Sequence, residues 1–180
     1  MTAPVLDRLR ACGVAVTPGA EPGTVQLALR GPLPPALRSM VRDRAALREA
    51  LDQEAAAAAE LIRARRRGRE VLRHASAMLG EPPPDAVGTR RGRRWARLAA
   101  DPSRVLYWAL ASAAKADGAE ALARVAELVH GTVRQELEAR CPGQPVEGGL
   151  LRLGEAQGAG ALRELFRAAA DRLRPPAAGS

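Results

Sequence analysis

The sequence predicts an α+β N-terminal mini-domain with the order αββαα, followed by a mainly α-helical region. Two short runs of alternating apolar residues, Val14–Val16 and Thr24–Leu29, flank a segment rich in proline and glycine, which is the pattern of a β-hairpin. Beyond residue 36, apolar residues recur mostly at helical spacing. Only 2% of the residues are aromatic. The core must therefore consist of Leu, Val and Ala, which favours packed helices over a β-sandwich.

The N-terminal mini-domain is predicted to span residues 1–52. A short helix over Val5–Arg10 ends at Gly13, and the two strands follow. A longer helical stretch then runs from Ala36 to about Asp52, with apolar residues at helical spacing, namely Leu37, Met40, Val41, Leu47 and Leu51. Asp43 is expected to cap a second helix inside this stretch, because an Asp side chain accepts hydrogen bonds from free backbone N–H groups.

Residues 53–94 are predicted to form an Arg-rich helical segment and a proline-rich linker. The run Ala55–Ala59 has the highest helix propensity available, so residues 53–79 are expected to form one long helix or two. Consecutive prolines in Gly80–Asp85 forbid a helix and favour a stiff, extended connector. A second basic cluster, Arg90–Trp95, follows the connector.

Residues 95–174 are predicted to form a helical bundle. Its clearest helix begins at Asp101 and ends before Gly118, and it is expected to be buried because it is apolar nearly all round. The next helix runs from about Glu120 to Arg140, with surface ion pairs expected for Glu120–Arg124 and Glu136–Arg140. The segment Gly154–Gly158 is interpreted as a loop before the last helix, and residues 175–180 as a disordered tail.

The net charge of +8 lies almost entirely in the middle of the chain. Residues 53–100 carry eleven Arg and five acidic residues, whereas residues 101–180 carry ten basic and ten acidic residues. Such a segment is suited to phosphate-rich or acidic partners. The alternative is that the arginines reflect a GC-rich genome, since 27 of the 28 basic residues are Arg.

Signals for catalysis, metals and cofactors are weak. There is no H-E-x-x-H, G-x-S-x-G or Walker A pattern, and His74 and His130 have no partner pattern. Cys12 and Cys141 form no C-x-x-C and are expected to be free thiols, although a single disulfide is the alternative. We therefore expect a protein that is not an enzyme, with no cofactor and no metal.

Targeting signals are also weak. The N-terminus lacks a basic start followed by an apolar run. The longest uncharged apolar stretch, Val105–Ala114, is far shorter than the ~20 residues that span a bilayer. The expectation is a cytoplasmic protein with no membrane partner.

The N-terminal pattern resembles a known family. The order helix, Gly13, Val14–Val16, loop, Val25–Leu29 and Gly31–Arg38 is similar to the TubC-type N-terminal docking domain of nonribosomal peptide and hybrid polyketide synthetase subunits. The segment Leu47–Leu51 matches the closing helix of that family, and the resemblance covers about residues 4–52. It implies an αββαα fold, recognition of a short partner segment along the β-hairpin, and a tendency to form a homodimer.

Two functions are predicted from these patterns. In the first, the protein is an adaptor or accessory subunit that binds a protein partner, or itself, at hairpin positions Val14, Val16, Val25, Leu27 and Leu29. The alternative is that these hairpin residues only form the buried face of a small sheet.

In the second function, the protein is a nucleic-acid-binding accessory protein of a mobile-element, replication or defence system. DNA or RNA would then contact Arg63, Arg65, Arg66, Arg67, Arg69, Arg90, Arg91, Arg93 and Arg94. In this second reading Trp95 either stacks on a base or anchors the following helix in the core.

Overall fold

The computed structural model describes residues 3–29, 31, 34–80, 88–101, 103–117 and 119–174. It confirms the predicted fold class, with a hairpin and helices at the N-terminus followed by a mainly helical region. The chain divides into two compact units, 1–61 and 62–180, here called unit 1 and unit 2. The elements in chain order are α1 (Ala3–Ala11), β1 (Val14–Pro18), β2 (Val25–Leu29), α2 (Pro35–Arg42), α3 (Arg44–Met78), α4 (Arg90–Ala100), α5 (Arg104–Asp117), α6 (Ala119–Glu138) and α7 (Val146–Arg172).

Unit 1 is built around one small apolar core. Antiparallel strands β1 and β2 pack their apolar face against α1, α2 and the start of α3, through the buried residues Leu6, Leu9, Val14, Val16, Leu37, Leu47, Ala50 and Leu51. The predicted cap is present, because the Ala46 N–H donates a hydrogen bond to Asp43 Oδ1 at 3.0 Å. This cap separates α2 from α3 and confirms the division expected within residues 36–52.

Helix α3 is one continuous helix rather than two. Its residues from Asp52 to Glu60 are all exposed and contribute to neither core, so their helicity depends largely on the propensity of the alanine run, with a surface ion pair from Glu54 to α1 that is described below. After this solvated stretch the helix contributes Ala64, Val71 and Leu72 to the core of unit 2. The boundary between the units therefore lies inside the segment 53–94 that the sequence had set apart.

A helix that the sequence reading missed covers the second basic cluster. Helix α4 is capped by Thr89, whose side chain accepts a hydrogen bond from the Gly92 N–H at 3.1 Å. The predicted start at Asp101 is instead the junction between α4 and α5: its N–H bonds to Arg97 O, and its carbonyl accepts from the Arg104 N–H. The predicted proline-rich linker, in its part 81–87, and the predicted tail lie outside the described residues.

The glycine-rich segment is helical from Gly154 to Gln157, so the loop prediction for Gly154–Gly158 is wrong for those residues. At Gly158 the backbone is not helical, with a φ of 76° that favours glycine, and α7 consists of two helical stretches that meet there at a kink. Burial of Leu150 and Leu153 favours the helix over a loop. Tertiary packing thus overrides the low helix propensity of glycine.

An ion pair joins α6 to α7 in a place that the sequence did not indicate. The Arg172 Nε donates a hydrogen bond to Glu136 Oε1, and the Glu136 side chain is only 12% exposed. The expected Glu136–Arg140 pair is thus replaced by a pair between helices. The side chain of Glu120 lies outside the described residues.

A second ion pair joins α1 to α3 within unit 1. Arg10 makes two hydrogen bonds to the Glu54 carboxylate, Nη1–Oε1 at 2.9 Å and Nη2–Oε2 at 2.7 Å. The hydrogen bond from Arg10 lowers the pKa of Glu54, and the same bond raises the pKa of Arg10. The two side chains remain 44% and 48% exposed, so solvent screens most of this interaction.

The first prediction concerns Gly68, where α3 packs closely against Val129 of α6 and Leu173. A Cβ atom there would lie 3.0 Å from Leu173 Cδ1 and 3.2 Å from Val129 Cγ2. We expect Gly68→Val to lower the free energy of unfolding by about 1–3 kcal/mol through overpacking. In chemical denaturation, the control Gly131→Ala, at an exposed α6 position with open space, should raise it by up to about 1 kcal/mol. Unchanged stability of Gly68→Val would contradict the close approach.

The second prediction concerns the pH dependence of the Arg10–Glu54 pair. The pKa of Glu54 is lower in the folded state than in the unfolded state. The stabilisation that the Arg10–Glu54 pair gives to the folded state is therefore present above the unfolded pKa and lost as the pH falls through the folded pKa. Glu54→Gln should therefore destabilise unit 1 near neutral pH, by less than about 1 kcal/mol, and have a smaller effect in acid. The free energy of unfolding is measured by denaturation at each pH. The control is Glu21→Gln on the exposed hairpin loop, which should not show this pH dependence. A Glu54→Gln effect that grows towards acid pH would contradict this sign.

Candidate functional site

The five predicted partner-binding residues share one face of the hairpin. Val14 pairs with Leu29, Val16 with Leu27 and Pro18 with Val25 in the antiparallel register. Directly paired residues project to the same side of a sheet. The hairpin thus has one face of branched apolar side chains, and an opposite face with exposed Ala15, Thr17, Gln26 and Ala28.

Burial divides these five side chains. Val14 and Val16 are 1% and 6% exposed and belong to the core of unit 1, whereas Val25 and Leu27 are half-buried at its margin. Leu29 is 50% exposed. A partner that leaves the core intact can therefore reach Val14 and Val16 only through their backbone, while Leu29 offers an apolar side chain.

The backbone N–H and C=O groups of the same residues point away from the partner strand, towards the outer edges of the hairpin. The Gly19 N–H donates a hydrogen bond to Thr24 O at 2.9 Å, so Gly19 and Thr24 form a hydrogen-bonded pair at the end of the hairpin. Along an antiparallel ladder, hydrogen-bonded pairs alternate with non-hydrogen-bonded pairs. The bonded pairs are therefore Thr17–Gln26 and Ala15–Ala28. On β2, the N–H and C=O groups of Val25, Leu27 and Leu29 consequently face the outer edge, which is called the β2 edge below.

The β2 edge has little of the protection that exposed strands usually carry. Strand edges are commonly guarded by charged residues or proline, and the segment Val25–Leu29 contains neither. Among the described residues, one partner of these outward groups is found: Arg44 Nη1 lies 3.5 Å from Val25 O, at the outer limit of a hydrogen bond. In that part of the chain the β2 edge therefore has Arg44 at one end and Leu29 at the other, with its remaining outward groups available for pairing.

The first arginine cluster consists of Arg63, Arg65, Arg66, Arg67, Arg69 and Arg73 on α3, and its members differ in exposure because they lie on different sides of that helix. Arg63, Arg66 and Arg73 are exposed on the side opposite the buried residues Leu72 and Ala75. The other predicted members are less available. Arg65 is half-buried, Arg67 Nη1 pairs with Glu70 Oε2 at 2.8 Å, and Arg69 Nη2 lies 3.8 Å from Asp171 Oδ1.

The second arginine cluster forms the first turns of α4. Arg90 and Arg93 are exposed, and Arg93 Nη1 donates to Gly88 O at 3.0 Å. The side chains of Arg91, Arg94 and Trp95 lie outside the described residues. The two clusters both belong to unit 2.

An exposed aromatic pair was missed by the sequence reading. Helix α5 buries Val105, Leu106 and Ala109, but Tyr107 and Trp108 are 67% and 38% exposed, so the prediction of a helix buried all round is wrong. The two rings are in edge-to-face contact with centroids 5.8 Å apart. Periodicity could have signalled them, because Arg104, Tyr107, Ala111 and Lys115 repeat on the side away from the core.

A groove of about 170 Å³ lies between α3 and α5. Its walls include Arg67, Glu70 and His74 from α3 and Ala109 and Ser112 from α5. His74, expected from the sequence to be an ordinary helix residue, lies in the groove wall.

Other kinds of site find no support in the described part of the chain. Within it, no group of three or more His, Cys, Asp and Glu residues could hold a metal ion, and no helix is long and apolar enough to cross a membrane. Cys12 and Cys141 are free thiols.

The third prediction tests the direction of the backbone groups on β2. The amides of Leu27 and Leu29 should exchange with solvent deuterium faster than those of Gln26 and Ala28, because the latter donate to β1. Residue-resolved NMR of the whole protein gives the four rates, and the intervening residues serve as internal controls. Slower exchange at Leu27 and Leu29 than at their neighbours would contradict an outward-facing edge.

Comparison with models of known protein families, with curated proteins and with solved structures finds no match to this chain.

Proposed function

We propose that the protein is a non-catalytic adaptor that recruits a protein partner by strand addition at the β2 edge. The observation that carries this proposal is the row of outward-facing backbone groups at Val25, Leu27 and Leu29, on a strand without charge or proline. Hydrogen bonds from an added strand would supply affinity, and its alternate side chains would supply specificity. The resemblance to TubC-type docking domains supports the same mode of binding.

The charge of unit 1 favours a protein partner over a polyanion. Residues 1–61 carry seven basic and seven acidic residues, so the unit that holds the β2 edge has no net charge. Its half-exposed Leu29 offers an apolar anchor beside the edge. Backbone pairing and one apolar contact are the interactions that this surface can provide.

The fourth prediction tests docking with a defined probe, a displayed library of random linear peptides selected on the whole protein. Enriched peptides should alternate apolar residues, and their binding should protect the Leu27 and Leu29 amides from exchange. Leu29→Asp should weaken the selected peptide by more than about tenfold, because it places a charge beside the edge. The control Thr17→Asp changes an exposed β1 residue on the opposite face and should bind normally.

Two results would contradict docking at the β2 edge. One is a selected peptide that leaves the hairpin amides unprotected. The other is a library that yields no binder, together with sedimentation showing a monomer at every concentration, because then neither a peptide strand nor a second copy occupies the edge.

Nucleic-acid binding by unit 2 is the second candidate function. Residues 62–180 carry twenty-one basic and thirteen acidic residues, so the whole net charge of +8 belongs to this unit. The specific observation in its favour is the exposure of Arg63, Arg66 and Arg73 on one side of α3. Each arginine that neutralises a phosphate releases condensed counterions, which makes binding steeply dependent on salt.

The fifth prediction follows from this counterion release. Replacing Arg63, Arg66 and Arg73 together by Gln should reduce the slope of log affinity against log salt by up to roughly 2–3. A matched triple replacement of Arg8, Arg38 and Arg42 in unit 1 should leave the slope unchanged. Fluorescence anisotropy with labelled DNA and RNA gives both slopes. Absence of binding at low salt, or equal slopes for the two triple variants, would contradict this function.

A further inference from the structure

The outward backbone groups of the β2 edge form a symmetric row. They belong to the first, third and fifth residues of a five-residue strand, namely Val25, Leu27 and Leu29. When a second copy lies antiparallel with the two Leu27 residues opposite each other, Val25 of each copy faces Leu29 of the other. Every outward N–H then meets an outward C=O, because the two residues of a hydrogen-bonded antiparallel pair exchange both bonds. The edge is thus complementary to itself.

No other antiparallel register uses the whole β2 edge. A shift of one copy by one residue sets outward-facing residues against residues whose N–H and C=O groups are bonded to β1. A shift by two residues leaves Val25 or Leu29 of each copy beyond the end of the partner strand. The register centred on Leu27 is therefore the one in which two copies satisfy each other fully.

The same register covers the apolar side chain that the core of unit 1 leaves exposed. Leu29 is 50% exposed, and it would lie opposite the half-buried Val25 of the second copy. Directly opposed side chains share one side of a sheet, so Leu29 and the two Leu27 side chains would form one apolar strip that is removed from water. On the other side of the sheet, Gln26 faces Ala28 of the second copy.

Charge does not oppose this contact. Strand β2 has no charged residue, so no like charges face each other across the new pair. Arg44 lies at the Val25 end, and the two Val25 residues are four positions apart along the paired strands, roughly 13 Å. That separation exceeds the screening length of about 8 Å at physiological salt. Val25 O can also keep its Arg44 contact, because a carbonyl oxygen accepts two hydrogen bonds.

We propose that two copies of this chain pair antiparallel through β2, centred on Leu27, and that this self-pairing controls access to the docking site. A peptide strand and a second copy require the same backbone groups, so each excludes the other. A five-residue edge is small beside stable interfaces, which bury at least about 1,200 Å², so the self-pairing is weak and a docking partner displaces it. This inference rests on the proposed function, because the site that it regulates is the β2 edge.

The test is cysteine cross-linking of the whole protein, with Cys12→Ser and Cys141→Ala in every sample. Gln26→Cys and Ala28→Cys place thiols at exposed positions that face each other in this register as a non-hydrogen-bonded pair, with Cα atoms about 4.5 Å apart. A mixture of the two variants should therefore form a disulfide under mild oxidation. Each variant alone should cross-link at least about tenfold more slowly, because identical thiols lie two positions apart and their Cα atoms exceed the reach of about 7 Å.

A matched control and a competitor complete the test. Thr17→Cys mixed with Ala28→Cys should not cross-link, because Thr17 is exposed on the same side of the sheet but belongs to β1. A library-selected peptide should reduce cross-linking of the Gln26→Cys and Ala28→Cys mixture as it saturates the edge. In the wild type, the Leu27 and Leu29 amides should exchange more slowly as the protein concentration rises, whereas those of Gln26 and Ala28 should not change.

Three results would overturn the self-pairing or its control of docking. The first is a mixture that does not cross-link, and the second is equal cross-linking by either variant alone, which indicates another register. The third is a peptide that protects the Leu27 and Leu29 amides yet leaves cross-linking unchanged.

The outcomes also separate this inference from the proposed function. In the first two cases, a peptide that protects the Leu27 and Leu29 amides would leave docking at the β2 edge intact, and only self-pairing would fail. Conversely, cross-linking of the mixture together with a library that yields no binder would support self-pairing and contradict recruitment of a second protein.

Discussion

The continuity of α3 is the constraint on which the rest of the structure depends. The first turns of this helix bury Leu47, Ala50 and Leu51 under the hairpin, and its last turns bury Val71, Leu72 and Ala75 in the bundle. Between these two segments the residues from Asp52 to Glu60 are exposed and include the alanine run, and Glu54 pairs with Arg10 of α1. One helix thus completes two separate cores, and the residues between them contribute helicity and this surface ion pair. The β2 edge lies beside the core of unit 1, and the exposed arginines of α3 lie beside the core of unit 2.

The local parts of this fold could be predicted from sequence because their signals are local. Alternation and a Pro-Gly loop define the hairpin, and Asp43 supplies the side-chain cap between α2 and α3. The bundle is less accessible to such reasoning. Helix α4 begins inside an arginine cluster that has little apolar periodicity, and α7 passes through glycines whose propensity argues against it. Burial of Leu150 and Leu153, which only the folded chain reveals, outweighs that propensity.

For the candidate sites, too, the local sequence indicates the elements but not which of their side chains are buried. The sequence located the right strands but treated five alternating residues as equivalent, and burial separates Val14 and Val16 from Leu29. The backbone groups of Val25, Leu27 and Leu29 face outward because hydrogen-bonded and non-hydrogen-bonded pairs alternate along the hairpin, and the Gly19–Thr24 hydrogen bond determines which pairs are bonded. For Tyr107 and Trp108 the apolar composition of α5 suggested a buried helix, although the spacing of Arg104 and Lys115 indicates the side of the helix that faces away from the core. The packing of α5 leaves Tyr107 and part of Trp108 exposed on that side.

The account assigns two kinds of recognition to two units of different charge. The neutral unit 1 presents backbone and one apolar side chain, and the basic unit 2 presents arginines. The most direct test is one NMR titration of the whole protein, first with oligo(dT) and then with a library-selected peptide. We expect oligo(dT) to perturb amides on the exposed side of α3 and to leave the hairpin unchanged, while the peptide perturbs Val25–Leu29 and leaves that side of α3 unchanged. A peptide that perturbs the exposed side of α3, or an oligonucleotide that perturbs β2, would contradict this separation of functions.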